Sequence, residues 1–316
     1  MQVVRLDEVS ARRWPRASVA VGNFDGVHRG HQALVTRMVN AAAAHAGPAV
    51  VLTFDPHPAR VLAPKSAPSA LMTLDQKAAA LERLGADALA VLPFTPEAAS
   101  LSPEAFAASV LRGSIGAQAV VVGAHFRFGR NRGGDAATLR ALGFDVVEVP
   151  PVVHEGGRVS SSRVRQALAA GDVAGAAALL GRPYFIEGTV VRGEGRGRTL
   201  GVPTANLTSR NETLPGLGVY AAWAWPAGRA PAAAAVVNVG RRPTFGGGGA
   251  VSVEAHLLDF DQDLYDSDLA LSFVSRLRGE RAFDGPAALV AQIADDVAAG
   301  QKALGARRPA SRWDAI

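Results

Sequence analysis

The first half of the chain alternates short, nearly continuous apolar runs with stretches whose apolar residues recur at helical spacing. The runs are Ala17–Val21, Ala49–Phe54, Ala88–Leu92, Ala119–Val122 and Asp145–Val149, and helical patterns cover Gln32–Ala46, Leu74–Leu84, Pro103–Leu111 and Ala136–Leu142. Apolar strands separated by helices predict a parallel sheet with helices on its faces. Two helix starts carry local signals. Thr73 with Gln76 three residues on has capping-box spacing, and Ser102 is followed by Pro103.

Around Gly181–Tyr184 the pattern changes. Phe185–Val191, Val219–Trp225, Ala233–Val239, Val251–Leu258 and Leu269–Val274 are β-type runs divided by Gly, Pro and Asn clusters, with no helices between them. Such a series predicts an antiparallel sheet or barrel. In Pro286–Ala299, Leu289, Ile293 and Val297 fall at i, i+4 and i+8, one apolar helical face able to dock on that barrel. Gly305–Ile316 is polar and Arg-rich and reads as a frayed tail. The expected division is 1–184 and 185–316, with no internal repeat.

A length of 316 residues is consistent with two domains, and 48% hydrophobic with 19% charged residues places the chain among folded globular proteins. The absence of Cys excludes disulfides, thiolate catalysis and Cys-ligated metal centres. The net charge of +5 is almost wholly guanidinium, 30 Arg against Lys65, Lys77 and Lys302. Arg forks match phosphate and carboxylate, so nucleotides fit, although composition bias alone would also give this balance. None of the three Lys follows a Gly, which rules out the Walker-type phosphate loop. The N-terminus carries acids and Arg where a signal peptide needs an apolar stretch, and no run reaches the ~20 apolar residues of a membrane span. The expectation is a cytoplasmic monomer or weak homo-oligomer with no nucleic-acid or membrane partner.

Directly after the first strand comes GNFDGVHRGH, Gly22–His31, leading into a helical pattern. Ligands in open α/β sheets bind beyond the carboxyl ends of strands, and a Gly-rich turn opening a helix offers free N–H groups to phosphate. His28 and His31, three apart, share one face of a first helical turn and could donate to adjacent phosphate oxygens. The same pair could instead be a cap and an exposed side chain, or a metal site with His57.

The stretch resembles the HxGH nucleotidyltransferase signature, and its longer form G-x-F-D-G-x-H-x-G-H resembles the FMN adenylyltransferase module of bifunctional riboflavin kinase/FAD synthetases. Three further segments match that family in order. These are FDPHP at Phe54–Pro58, GAHFRFG at Gly123–Gly129, where His125 replaces an expected Asp or Asn, and SSSRVR at Ser160–Arg165. The resemblance implies a Rossmann-like HxGH domain in which His28 and His31 are catalytic. It puts Gly22, Phe24, Asp25, Gly26, Ser161, Ser162, Arg163 and Arg165 on ATP phosphates, and His57, Gly123, Phe126 and Phe128 on the flavin.

In the second half, RGEGRGRTLGVPTANL spans Arg192–Leu207. Its glycines would let backbone approach a phosphate, or they would simply make a hairpin. The string resembles the riboflavin kinase motif, with PTAN intact at Pro203–Asn206. The resemblance continues through GVY at Gly218–Tyr220, Asn238–Gly248, VEAH at Val253–His256 and LRGERAF at Leu277–Phe283, with Asp266 standing where the family usually has Gly. It implies Glu254 as catalytic base, Gly195, Gly197 and Thr204 on ATP, Thr204 and Asn206 on the metal, and Arg278 at the flavin. Gly246–Gly249 reads as a flexible hairpin tip in preference to a ligand flap.

The implied activity has two steps, riboflavin to FMN and FMN to FAD, each using ATP with Mg²⁺ and no covalently bound cofactor. The other readings are a chain with kinase activity alone, should His125 disable flavin placement, and an RNA-binding protein that kept an HxGH fold.

Overall fold

A computed structural model describes residues 1–8, 13–193, 201–227, 232–241, 251–306 and 308–314. The chain forms two compact units, Met1–Ser69 with Thr73–Ser160, and Ala70–Met72 with Ser161–Ile316.

The first unit is built on a six-stranded, wholly parallel sheet of β1 (Gln2–Arg5), β2 (Ala17–Val21), β3 (Ala49–Asp55), β4 (Ala88–Pro93), β5 (Ala117–Gly123) and β6 (Asp145–Val149). The order is β1-β4-β3-β2-β5-β6, so the chain winds outward from β2 in one direction and later returns to its other side. The crevice between the ends of β2 and β5 is therefore the topological switch point, where such sheets bind ligands. All five residues of β2 are buried, as are the first five of β3. Burying one Val or Leu side chain contributes about 1.5–3 kcal/mol, and Leu52→Ala, at 0% exposure, would cost about 2–5 kcal/mol.

The helices begin where capping chemistry places them. α1 (Arg29–Ala44) buries Val35, Met38 and Ala42 against the sheet, and α2 (Pro58–Leu62) follows His57. α3 (Leu74–Arg83) starts at Thr73, whose hydroxyl accepts from Gln76 N while the Gln76 side chain accepts from Thr73 N, the predicted capping box. α4 (Pro96–Ser100) is short, and α5 (Pro103–Phe106) runs from the Ser102 cap straight into a π-helix, Ala107–Ile115. α6 (Ala136–Ala141) is capped by Asp135. The two-residue strands β7 (Val153–His154) and β8 (Gly157–Arg158) form a small hairpin.

The second unit opens with α7 (Ser161–Ala169) and α8 (Val173–Leu180). A closed antiparallel barrel follows, built from β9 (Tyr184–Val191), β10 (Ala205–Ser209), β11 (Gly218–Pro226), β12 (Ala233–Arg241), β13 (Val251–Leu257) and β14 (Asp268–Arg278). α9 (Pro286–Leu304) packs on β11, β12 and β14, with Leu289, Ile293 and Val297 half-buried and Leu304 seated beside Trp223. Ala70–Met72 belongs to this unit through hydrogen bonds: Tyr184 donates its hydroxyl to Leu71 O (2.9 Å) and Thr213 donates to Ala70 O (2.9 Å).

Two expectations change. Ala205–Ser209, not among the expected strands, pairs with both β9 and β13 and closes the barrel. The C-terminal tail is not frayed over 308–314. Trp313 meets Phe185 edge-on at 4.8 Å, Arg182 lies over the Trp313 ring, and Arg312 pairs with Glu187 at 2.8 Å. One aromatic residue in a polar segment is enough to dock it, because an aromatic pair contributes about 0.5–1.5 kcal/mol beyond the area it buries.

Candidate active sites

Beyond β2 the chain makes a tight turn, Gly22–Val27, before entering α1. Phe24 (φ 48°), Gly26 (φ 82°) and Val27 (φ 40°) all adopt left-handed backbone. Only Gly does so freely, and each of the others costs about 1–3 kcal/mol. The strain is offset by anchoring. The Phe24 side chain is fully buried, Gly22 N donates to Leu52 O (3.1 Å), and Gln32 donates to Val27 O (3.0 Å). The Asn23 carbonyl accepts from Thr53 Oγ1 (3.1 Å) and from Lys77 Nζ (2.8 Å).

The turn delivers His28 to the N-cap of α1, where its Nδ1 accepts from His31 N at 3.3 Å. The two imidazoles stack, with centroids 3.6 Å apart and planes 13° from parallel. Gly30 makes room for this, since a Cβ there would sit 3.1 Å from the His28 ring. Because His28 Nδ1 is an acceptor, its proton resides on Nε2. His31 Nδ1 is buried with no partner, and a bare lone pair there costs less than an orphaned N–H, which again places the proton on Nε2. The His31 pKa lies well below the ordinary value, first through burial and then through the charges of His28, Lys77 and Arg158. The stacked imidazoles, each with an Nε2–H, can donate side by side to neighbouring oxygens of an anion.

The other residues of the first unit fall around the same sheet edge. Asp25 is buried. His57 caps α2 by accepting from Ala59 N through Nδ1 (3.1 Å), and its Nε2 lies 3.0 Å from the Asn23 side-chain amide. The Asn23 atom facing His57 Nε2 is its side-chain nitrogen, Nδ2. Gly123 ends β5 with open space where a Cβ would be. Phe126 stacks on Phe128 at 5.5 Å, but Phe128 is a core residue at 7% exposure, packed on Phe106. The half-buried ring is Phe126, and His125 beside it is exposed. Lys77 and Asn23 were missed by the sequence reading, since they lie outside the quoted roles and only the fold brings α3 beneath the turn.

In the barrel, Asn206 on β10 stands opposite Glu254 on β13, which also stands opposite Asn238 on β12. Asn206 is buried and Glu254 is half-buried, so this Glu is not on an open solvent face. Gly193 approaches Asn206 so closely that a Cβ would lie 2.3 Å from its amide nitrogen. His256, two residues beyond Glu254, hydrogen-bonds Pro203 O through Nδ1 at 2.8 Å and ties β13 to the segment carrying Thr204. Thr204 lines a cavity of about 250 Å³ with Pro203, Ala205, Phe260, Asp263 and Tyr265. Asp266 takes φ 58°, a left-handed conformation that Asp tolerates better than most residues, so the turn is kept without Gly.

The remaining candidates divide. Ser161, Ser162, Arg163 and Arg165 lie on the first turns of α7, with Ser162 exposed and the others half-buried. Arg278 forks onto the buried Asp296 of α9, Nε to Oδ1 at 2.9 Å and Nη2 to Oδ2 at 2.8 Å, and so holds the last helix to the barrel. Gly195, Gly197 and Gly246–Gly249 lie outside the described residues.

A parallel sheet with a histidine-bearing turn at its switch point, followed by a closed barrel with a carboxylate between two Asn, suits a two-module transferase acting on phosphate groups. The FAD synthetase family matches residues 10–163 and the riboflavin kinase family residues 180–304. A bifunctional riboflavin kinase/FMN adenylyltransferase of Pseudomonas fluorescens is 40% identical over 89% of this chain and 91% of its own length. Relatives of the same name from Escherichia coli (36%, over 92% and 94%) and Bacillus subtilis (37%, over 89% and 90%) are also similar. A crystal structure titled a macrolide-efflux protein from Streptococcus pneumoniae superposes with a TM-score of 0.86 at 32% identity, covering 95% of this chain and 99% of that one. The chain belongs to the bifunctional riboflavin kinase/FMN adenylyltransferase family. It is an ATP-using enzyme that makes FMN from riboflavin and FAD from FMN. Among the described residues no helix is long and apolar enough to cross a membrane.

Proposed function

We propose that residues 1–184 carry the adenylyltransferase and residues 185–316 the kinase, with the residue roles that follow. The observation that carries the first assignment is the stacked His28–His31 pair at the switch-point end of β2. An FMN phosphate oxygen attacks the α-phosphorus of ATP, a new P–O–P bond forms, and the bond to the β-phosphate oxygen breaks to release pyrophosphate. No protein nucleophile is needed, and the protein positions the reactants and offsets developing charge. His28 and His31 donate from Nε2 to the phosphates, with Gly22, Phe24, Asp25 and Gly26 shaping the turn. Ser161, Ser162, Arg163 and Arg165 are assigned to pyrophosphate from family membership. His57, Gly123 and Phe126 face the flavin, and Phe128 supports Phe126 from the core.

In the kinase, Glu254 accepts the proton of the ribityl hydroxyl as its oxygen attacks the γ-phosphorus and ADP departs. Asn206 and Asn238 flank the carboxylate across the neighbouring strands. Thr204 and Asn206 offer the neutral oxygen donors that suit Mg²⁺ carried in with ATP, whose role is to neutralise phosphate charge. His256 fixes the Pro203 carbonyl and so the approach of Thr204. The enzyme works in the cytoplasm as a monomer or weak homo-oligomer.

The test is a pair of variants assayed with each flavin separately. His31→Ala is expected to abolish FAD formation from FMN and spare FMN formation from riboflavin, and Glu254→Ala to do the reverse. Loss of both activities in either folded variant overturns the two-site assignment.

A further inference from the structure

The turn bearing His28 and His31 is held from beneath by a residue outside every motif. Lys77, on the first turn of α3, donates from Nζ to Asn23 O at 2.8 Å and to Thr53 Oγ1 at 3.3 Å, and Thr53 donates to the same carbonyl at 3.1 Å. Thr53 is fully buried, so this three-way contact is shielded from water. Asn23 immediately precedes Phe24, the first left-handed residue of the turn, and its side chain meets His57. Fixing the Asn23 carbonyl thus fixes the point from which the strained backbone departs.

Composition sharpens the case. The chain uses 30 Arg and three Lys, yet places one of those Lys here. A planar guanidinium delivers its donors as a fork, whereas an ammonium is a compact charge that can serve a carbonyl and a hydroxyl converging on one point. The ammonium loses stability through burial, and Asp25 and Asp55 act against that loss. Its field reaches His31, which also faces His28 from the turn, Arg158 from β8 and the Phe24 ring.

We propose that Lys77 is a positioning residue for adenylyl transfer, clamping the Asn23 carbonyl so that the turn presents His28 and His31 side by side to the phosphates. This rests on the reading of those two histidines as phosphate-binding. Lys77 touches neither substrate nor reacting atoms in this account. It acts through the turn, where a displacement of about 1 Å can cost on the order of 100-fold in rate.

The experiment uses the full chain with Lys77→Met, Lys77→Arg and His31→Ala. Each is assayed for FAD from FMN and for FMN from riboflavin, and the His31 imidazole is titrated by NMR. Lys77→Met is expected to lower kcat for FAD formation about 10–100-fold with FMN formation within twofold of the parent, and to move the His31 pKa upward. Lys77→Arg keeps the charge, so it should leave the His31 pKa low and recover part of the rate. FAD formation by Lys77→Met within twofold of the parent overturns the proposal. So does a loss in Lys77→Met and Lys77→Arg alike with the His31 titration unmoved, which marks Lys77 as a packing residue. If His31→Ala makes FAD at the parental rate, the phosphate-binding reading itself fails. If His31→Ala is inactive while Lys77→Met is normal, only the role of Lys77 fails.

Discussion

Asn206 and Glu254 face each other directly across β10 and β13, and Asn238 occupies the facing position on the other side of Glu254. The carboxylate therefore stands between two amides on adjacent strands of a closed barrel, where strand pairing, not a loop, sets the spacing. Strand pairing would hold Glu254, the proposed base, in the same place in every turnover, and it is half-buried where an alternating strand would leave most Glu in water.

The approach of Gly193 to Asn206 gives the first prediction. A methyl group at this position would lie 2.3 Å from the Asn206 amide nitrogen, closer than any real contact, so Gly193→Ala must drive the Asn206 side chain from its place. FMN formation should fall about tenfold or more, with a higher KM for ATP, because Asn206 is the proposed metal–nucleotide ligand. FAD formation from supplied FMN should not change. Steady-state rates with each flavin check this.

The second prediction concerns acid. His31 is held well below its ordinary pKa of 6.5, mainly by burial and then by the His28, Lys77 and Arg158 charges. The unfolded chain takes up this proton near pH 6.5 and the folded chain only at lower pH, so between those values the unfolded state binds more protons. The contribution of His31 to stability is thus full above pH 6.5 and is lost as pH falls through the window below it. Unfolding midpoints measured from pH 7 to pH 5 should fall less steeply in His31→Gln than in the parent.

Third, Asp296 is 5% exposed and its only cationic partner among the described residues is Arg278. Breaking such a pair by removing one member costs about 3–5 kcal/mol. Asp296→Ala should lower the stability of the barrel by an amount of that order in denaturant unfolding, by releasing α9 from β14. Gln292, which donates to the same carboxylate at 2.7 Å, would lose its partner as well.

Most of the fold was readable because its strands are either doubly buried or flanked by clear turns. Ala17–Val21, apolar but for Ser18, read as a buried strand, and Thr73 with Gln76 three residues on marked the start of α3. β10 was hidden because ANLTS is only five residues long, with Ala205 and Leu207 as its apolar positions, and stands two residues after Pro203 inside a Gly-rich string. Trp313 was hidden because a docking partner, Phe185, lies more than a hundred residues away. The same limit governs the sites. His28, His31 and Glu254 stand inside motifs, whereas Lys77 reaches Asn23 only after a parallel sheet has brought α3 beside β3. Arg278, expected at the flavin from the resemblance, also has its fork held by Asp296 on a later helix, a partner that nothing local reveals.

The account stands on two catalytic sites that each act alone, and one measurement addresses that directly. His31→Ala and Glu254→Ala proteins are incubated with Mg²⁺–ATP and riboflavin, separately and mixed, and the flavins are separated by chromatography. His31→Ala should stop at FMN, Glu254→Ala should leave riboflavin untouched, and the mixture should make FAD as FMN passes from one protein to the other. A mixture of folded proteins that accumulates FMN without FAD, or that converts no riboflavin, would contradict the account.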